Sequence, residues 1–214
     1  MIFKNYILLL LLTTIISSGL NVVAGITPAA KFMAQVEQQL GQIKTLQVDF
    51  EQQRTLKLLK HKAIFTGKIF MQAPGKLAWH VYKPIRYSCI IKGNIMTQWD
   101  ADSDEVTTIN AKKIGALQLV IRQLQYWFAG NFAALNSDFK SKVILKKQQI
   151  EFIPKPATPP ARFIKKIIVT LKKDLSYIKQ LMIYEQGGDT MTMLFTKTII
   201  NRPLPDGAWN VKGN

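Results

Sequence analysis

Few residues in this chain of 214 have side chains able to do chemistry, and their spacing does not gather them. Neither of the two histidines, His61 and His80, stands at metal-ligand spacing from another ligand type, so neither zinc binding nor histidine-based catalysis is indicated. Asp100-Ala101-Asp102-Ser103-Asp104 opens like a calcium loop. Glu105, however, sits where the sharp turn needs glycine, and Ala111 where a bidentate glutamate belongs, so the stretch reads as a solvated hairpin turn. The phosphate-cradling and nucleophile-elbow patterns (Gly-x-x-x-x-Gly-Lys-Ser/Thr, Gly-x-Gly-x-x-Gly, Gly-x-Ser-x-Gly) are all absent. The single cysteine, Cys89, lies in the apolar run Tyr87-Ser88-Cys89-Ile90-Ile91 and reads as a small buried hydrophobe. No enzyme, metal or cofactor is called for.

A surplus of large apolar side chains remains. Phe50, Phe65, Phe70, Trp79, Trp99, Trp127 and Phe128, with Met71 and Met96, exceed what one face of a small sheet needs. Methionine is flexible and suits a site that must accept variable shapes. The chemistry this composition can do is physical: holding an apolar ligand out of water.

The elements that must position these residues centre on Gly67 to Pro84. Two apolar, β-branched and aromatic runs flank Ala73-Pro74-Gly75-Lys76, where proline and glycine suit the central positions of a tight turn. A β-hairpin is predicted. In its second arm Leu77, Trp79 and Val81 share one face, and Ala78, His80 and Tyr82 the other. Both faces carry apolar bulk, so both should be covered: one by the core, the other by a helix, a ligand or a partner.

Upstream, Thr27-Pro28 opens a helix predicted to reach Lys44, with Phe32, Val36, Leu40 and Ile43 as its apolar stripe. From Leu46 the period changes to two, and short strands joined by short turns follow to Ile109. Ile114, Leu117, Val120, Ile121, Leu124, Trp127 and Phe128 then recur at helical spacing until Gly130-Asn131 stop them. Such an apolar helix must pack on the sheet or inside its curve. Strands are predicted again at 143–145, 150–153, 164–172, 178–185 and 191–196, with Lys155 to Pro160 as a rigid extended loop. The expected class is α+β, mainly β, in one domain.

The chain opens with Met1-Ile2-Phe3-Lys4-Asn5, an apolar run from Tyr6 to Ile16, and Val22-Val23-Ala24 before Gly25. This is the pattern of a secretory signal, residues 1–24, cut after Ala24, with the single domain spanning 25–214. The run falls short of the ~20 residues a membrane span needs. The formal charge is +16, or +15 once Lys4 leaves with the signal. Export argues against nucleic acid as the anionic partner. The lysines are scattered through strand-like segments, which gives a solvated basic surface that also blunts sheet edges.

Several of these pieces resemble, in order, the periplasmic outer-membrane lipoprotein carrier family (LolA-like). They are the N-terminal helix, Phe50-Glu51-Gln52, Gly67 with Phe70, Pro74 to Pro84, Gly93 to Asp100, and Asn201-Arg202-Pro203-Leu204-Pro205-Asp206-Gly207-Ala208-Trp209. The resemblance implies an incomplete, strongly bent antiparallel β-barrel closed by a helical lid over an apolar cavity. Phe50, Phe65, Ile69, Met71, Leu77, Trp79, Val81, Ile91, Met96 and Trp99 of the strands, and Leu117, Ile121, Leu124 and Phe128 of the helix, are then expected to line that cavity. It further implies a monomeric carrier in the periplasm of a Gram-negative bacterium. Such a carrier takes acylated lipoproteins from an inner-membrane lipoprotein-releasing ABC transporter to an outer-membrane receptor. Many relatives place arginine before the hairpin proline, where it latches the lid; here Ala73 stands there, leaving Lys76 and Arg86 as candidate latches. Two alternatives stay open: a related carrier of a non-lipoprotein lipid or pigment precursor, and a basic periplasmic protein-interaction module without a cavity.

Overall fold

In the computed structural model, which describes residues 26–57, 61–113, 125–127 and 130–212, Thr27 caps the first helix by accepting a hydrogen bond from the Ala30 amide. Pro28 fills the first turn, where its missing donor costs nothing. Helix α1 (Pro28–Gly41) buries Phe32, Val36 and Leu40. It ends short of Lys44 because the Gln42 and Ile43 amides turn back to the Gln39 and Leu40 carbonyls. Ile43, just beyond the end, still reaches the core.

The strands are β1 (Thr45–Leu56), β2 (His61–Gln72), β3 (Lys76–Lys83), β4 (Tyr87–Lys92), β5 (Ile95–Asp100), β6 (Glu105–Asn110), β7 (Phe139–Ile144), β8 (Gln149–Pro154), β9 (Ile164–Leu171), β10 (Ile178–Glu185) and β11 (Thr190–Ile200). They form one antiparallel sheet in the order β6-β5-β4-β3-β2-β1-β11-β10-β9-β8-β7. The first strand therefore lies in the middle, paired with β2 and β11, while β6 and β7 are the edges. Among the described residues the edges do not pair with each other, so the barrel stays open. The predicted helix between β6 and β7 lies outside the described residues except at 125–127, which are helical. The proline-rich loop is only partly extended: after Thr158 the chain winds into a 3-10 turn, Pro159–Arg162, that buries Pro160.

Side chains of alternating residues fill the concave face. Val48 and Phe50 on β1, Ile69 and Met71 on β2, Ile150 and Phe152 on β8 and Val169 on β9 join α1 in one buried cluster. Gly67 makes the tightest fit. A Cβ there would lie 1.9 Å from the His80 carbonyl oxygen and 2.8 Å from the Phe50 ring, so only glycine fits beneath that ring.

The convex face of the β2–β3–β4 region is covered by the chain's own C-terminal segment. Leu204, Ala208, Trp209 and Val211 pack on Phe70, Ala78 and Ile90. The second apolar face of the hairpin is thus satisfied internally. His80, 2% exposed, bonds through Nε2 to the Ala208 carbonyl at 3.0 Å, which makes Nε2 the protonated nitrogen. The Ser88 hydroxyl donates to the Val211 carbonyl, and Lys212 pairs with Asp104 at 2.7 Å. At the far end of β11, Asn201 ties sheet to helix. Its Oδ1 accepts from the Lys44 amide at 2.7 Å, and its Nδ2 donates to the Gln42 carbonyl at 3.1 Å. Its φ of +53° is one that asparagine tolerates better than most residues.

Two outcomes follow. Gly67→Ala is expected to destabilise by at least ~2 kcal/mol, since the clash is with backbone, and urea unfolding of the variant measures it. Burial lowers the pKa of His80 from its ordinary 6.5, against a smaller raising effect of the Ala208 carbonyl, and Nδ1 has no partner. A depressed folded pKa means the His80 contribution is complete above 6.5 and is lost as pH falls through the lower folded value. Wild-type stability should therefore drop below pH 6.5 more steeply than that of His80→Gln, read by thermal melts across pH.

Candidate functional site

The register of the hairpin builds the floor of a cavity. Met71 on β2 faces Leu77 on β3, and Leu77 faces Ile91 on β4, so three apolar side chains stand in a row across adjacent strands. Above them is a cavity of about 410 Å³, walled by Ile43 and Lys44 after α1 on one side and by Gln125, Tyr126 and Asn131 on the other. The turn Ala73-Pro74-Gly75-Lys76 forms its rim. The backbone of that turn is occupied: the Ala73 amide donates to the Lys44 carbonyl at 2.8 Å, and the Gly93 amide to the Gly75 carbonyl at 2.9 Å. Gly75 takes the positive φ its position requires, +69°, and the Ala73–Pro74 bond is cis. The volume lies within the range of about 300–1,000 Å³ usual for small-molecule sites.

Of the residues expected to line a cavity, Met71, Leu77 and Ile91 do so, beneath the rim that holds Lys76. Phe50, Ile69, Trp79, Val81 and Met96 belong to the packed cluster deeper in the concave face, where the Phe50 and Trp79 rings meet edge to face at 5.2 Å. Phe65 lies half-buried further along the same face of β2. Trp99 is a correction. It pairs across from Ser88 on the outer face, donates from Nε1 to Asp104 at 2.8 Å, and has the Arg86 guanidinium over its ring. It stands three positions on from inward-facing Met96, and an odd spacing in a strand reverses the face. Leu117, Ile121, Leu124 and Phe128 lie outside the described residues.

The two candidate latches both stand over aromatic rings. The Lys76 ammonium stands over the Trp209 ring at 5.7 Å and Arg86 over Trp99 at 5.5 Å, so both cations are used on the outer face. What holds the crossing segment instead is packing against α1 and the sheet. Glu37 accepts a hydrogen bond from the Ala133 amide at 2.7 Å. Gly130 lies so close to Leu40 that a Cβ would come within 2.3 Å of it. The Trp127 ring packs against Phe152, 4.7 Å between centroids, and against Phe132 and Phe139. Sequence reasoning missed Ile43 and Tyr126 as wall residues. Ile43 could have been found by following the α1 stripe past the helix end.

Cys89 is half-buried and, with burial pushing its thiol up to about 11, stays protonated and unreactive at neutral pH. Tyr87 is pushed up to about 12, chiefly by burial. Among the described residues no three His, Cys, Asp or Glu side chains converge to hold a metal ion, and no helix is long and apolar enough to cross a membrane.

The fold is an open antiparallel sheet with a cavity at one end, floored by apolar side chains. The chain belongs to the family described as outer membrane lipoprotein carrier protein LolA, whose profile matches residues 41–212. An outer-membrane lipoprotein carrier protein of Methylococcus capsulatus is 33% identical over 76 residues, 36% of this chain and 35% of that protein. One from Pseudomonas putida is 23% identical over 145 residues, 67% of this chain and 64% of that protein. The chain thus spans less than two thirds of the length of each of these relatives. A solved LolA superfamily protein from Nitrosomonas europaea aligns over 86% of this chain and 98% of its own, with a TM-score of 0.43 and 8% identity.

Because Ala73 sits on the rim, Ala73→Arg projects a long cation across the cavity mouth toward Gln125 and Asn131. Uptake of a fluorescent acyl probe by that variant is expected to fall about tenfold, a change of ~1.4 kcal/mol, with thermal stability unchanged or raised.

Proposed function

We propose that this protein is a periplasmic carrier that shields the acyl chains of lipoproteins and transfers them from the inner to the outer membrane. Residues 1–24 would direct export and be removed, and the carrier would act as a monomer between an ATP-driven inner-membrane transporter and an outer-membrane receptor. Membership of the lipoprotein carrier family supports this reading. The observation that carries it is the row Met71, Leu77 and Ile91 under an open cavity of about 410 Å³. Burial of each acyl methylene is worth ~0.8 kcal/mol, so even part of one chain in that cavity is held firmly. The chain carries no nucleotide-binding motif, so release must follow a gradient of affinity toward the receptor. This is binding and transfer, not catalysis.

A second reading, a carrier of a non-lipoprotein lipid or pigment precursor, is favoured by the modest size of the cavity and by Ala73 in place of the arginine common among relatives. The free volume beside α1 favours either carrier reading over a basic interaction module without a cavity.

The purified protein is expected to bind a fluorescent acyl probe at micromolar concentration and to release it to added lipoprotein. No uptake well above that concentration would sink the carrier reading. Leu77→Glu, which sets a charge on the cavity floor, should cost at least tenfold in probe affinity. Mass spectrometry of lipid co-purified from the native host separates the two readings: an acylated lipoprotein or its peptide supports the first, a free lipid or pigment the second.

A further inference from the structure

At the end of the sheet opposite the cavity, three connections lock together. The Gln186 amide donates to the Phe163 carbonyl at 2.8 Å, and the Gln186 side chain to the Ala161 and Ile164 carbonyls at 3.1 and 3.3 Å, fixing the β8–β9 connection to the β10–β11 turn. That turn is fixed in its own right to the end of β1. The Lys57 amide donates to Asp189 at 3.0 Å, and the Lys57 side chain packs over Gly188. The Phe163 amide is bonded as well, to Pro160.

The backbone is therefore held on both sides of Phe163, a residue left 70% exposed, the highest value after Ile26 among the described large hydrophobics. Core packing does not explain the placement, because nothing covers the ring among the described residues. Exposed cations surround it: Arg162 and Lys165 flank it in sequence, and Lys57 stands on the adjoining turn. The nearby acids are already engaged. Glu185 is bonded by Arg54 at 3.0 and 3.2 Å, and Asp189 by the Lys57 amide.

We infer that this tip, Phe163 within Arg162, Lys165 and Lys57, is a docking point for an anionic lipid bilayer surface, the phenyl entering the headgroup region and the cations meeting lipid phosphates. A lone protruding aromatic ringed by cations suits a soft, laterally adaptable anionic surface. A protein partner would instead call for a broad complementary patch. The inference goes beyond the carrier reading and does not need it, since docking is measured without cargo.

The experiment is vesicle co-sedimentation with processed protein, using phosphatidylcholine alone and phosphatidylcholine mixed with phosphatidylglycerol in equal parts. Binding is expected to the mixed vesicles only and to be lost in high salt. Phe163→Ser should weaken it about tenfold, and Arg162→Gln with Lys165→Gln should remove its dependence on the anionic lipid. Leu145→Ser, an exposed apolar residue at the opposite end of the sheet, should change nothing. Because every variant shares one N-terminus, their comparison cancels any contribution from that segment. Equal binding to both vesicle types, no binding, or wild-type binding by Phe163→Ser would overturn the inference. Acyl-probe uptake measured on the same variants should be unaffected, so failure here and failure of the carrier reading are distinguishable.

Discussion

The sheet begins in its own middle, and much of the structure follows from that. Because β1 pairs with both β2 and β11, the chain winds outward to one edge at β6 and must then reach the opposite edge at β7 before winding back. The connection between those two edges runs over residues 111–138. Where it is described, it is pinned to α1 and the sheet by the Glu37–Ala133 bond, the Gly130–Leu40 contact and the Trp127 ring cluster. Asn201 closes the circuit by tying the end of β11 to the link between α1 and β1. A chain with one cysteine has no disulfide to hold this geometry, so packing and these few polar ties must do it.

The β2–β3 hairpin shows how one strand pair serves two purposes. Its inward residues make the cavity floor and the layer beneath, while Ala78 and His80 on the other face are sealed by the segment around Ala208 and Trp209. Sealing keeps an apolar convex patch out of water and stiffens the strands whose opposite side faces the open volume. Gly67 adds to this, because the Phe50 ring settles directly onto its backbone and draws β1 and β2 close.

Much of this was legible in the sequence, and the misses have identifiable causes. The β2–β3 turn and the start of α1 follow from a proline–glycine pair and a threonine–proline cap, all local signals. The C-terminal cover was not legible, because His80 meets Ala208 across 128 residues and no local pattern encodes that pairing. Trp99 was misplaced for a different reason: it was grouped with Met96 by type, although parity along the strand already set it on the other face. Ala73 was legible as a departure, but its consequence is geometric. A small side chain on the rim leaves volume that a long one would fill.

That volume bears on how such a carrier could work. About 410 Å³ admits a small apolar ligand, whereas a lipid anchor with several chains would need more of the concave face to open. The interior side chains that would have to yield are well packed, so the cheaper movement is of residues 130–137 away from α1. That movement breaks the Glu37–Ala133 hydrogen bond, worth about 1 kcal/mol net or somewhat more for a charged acceptor. It also uncovers Leu40. Under the proposed carrier reading, acyl chains entering the gap would restore the lost burial at ~0.8 kcal/mol per methylene, which would couple opening to loading. With alanine at position 73, the described ties on the closed state are packing and that one hydrogen bond. Packing against an apolar surface is a restraint that an acyl chain can replace in kind.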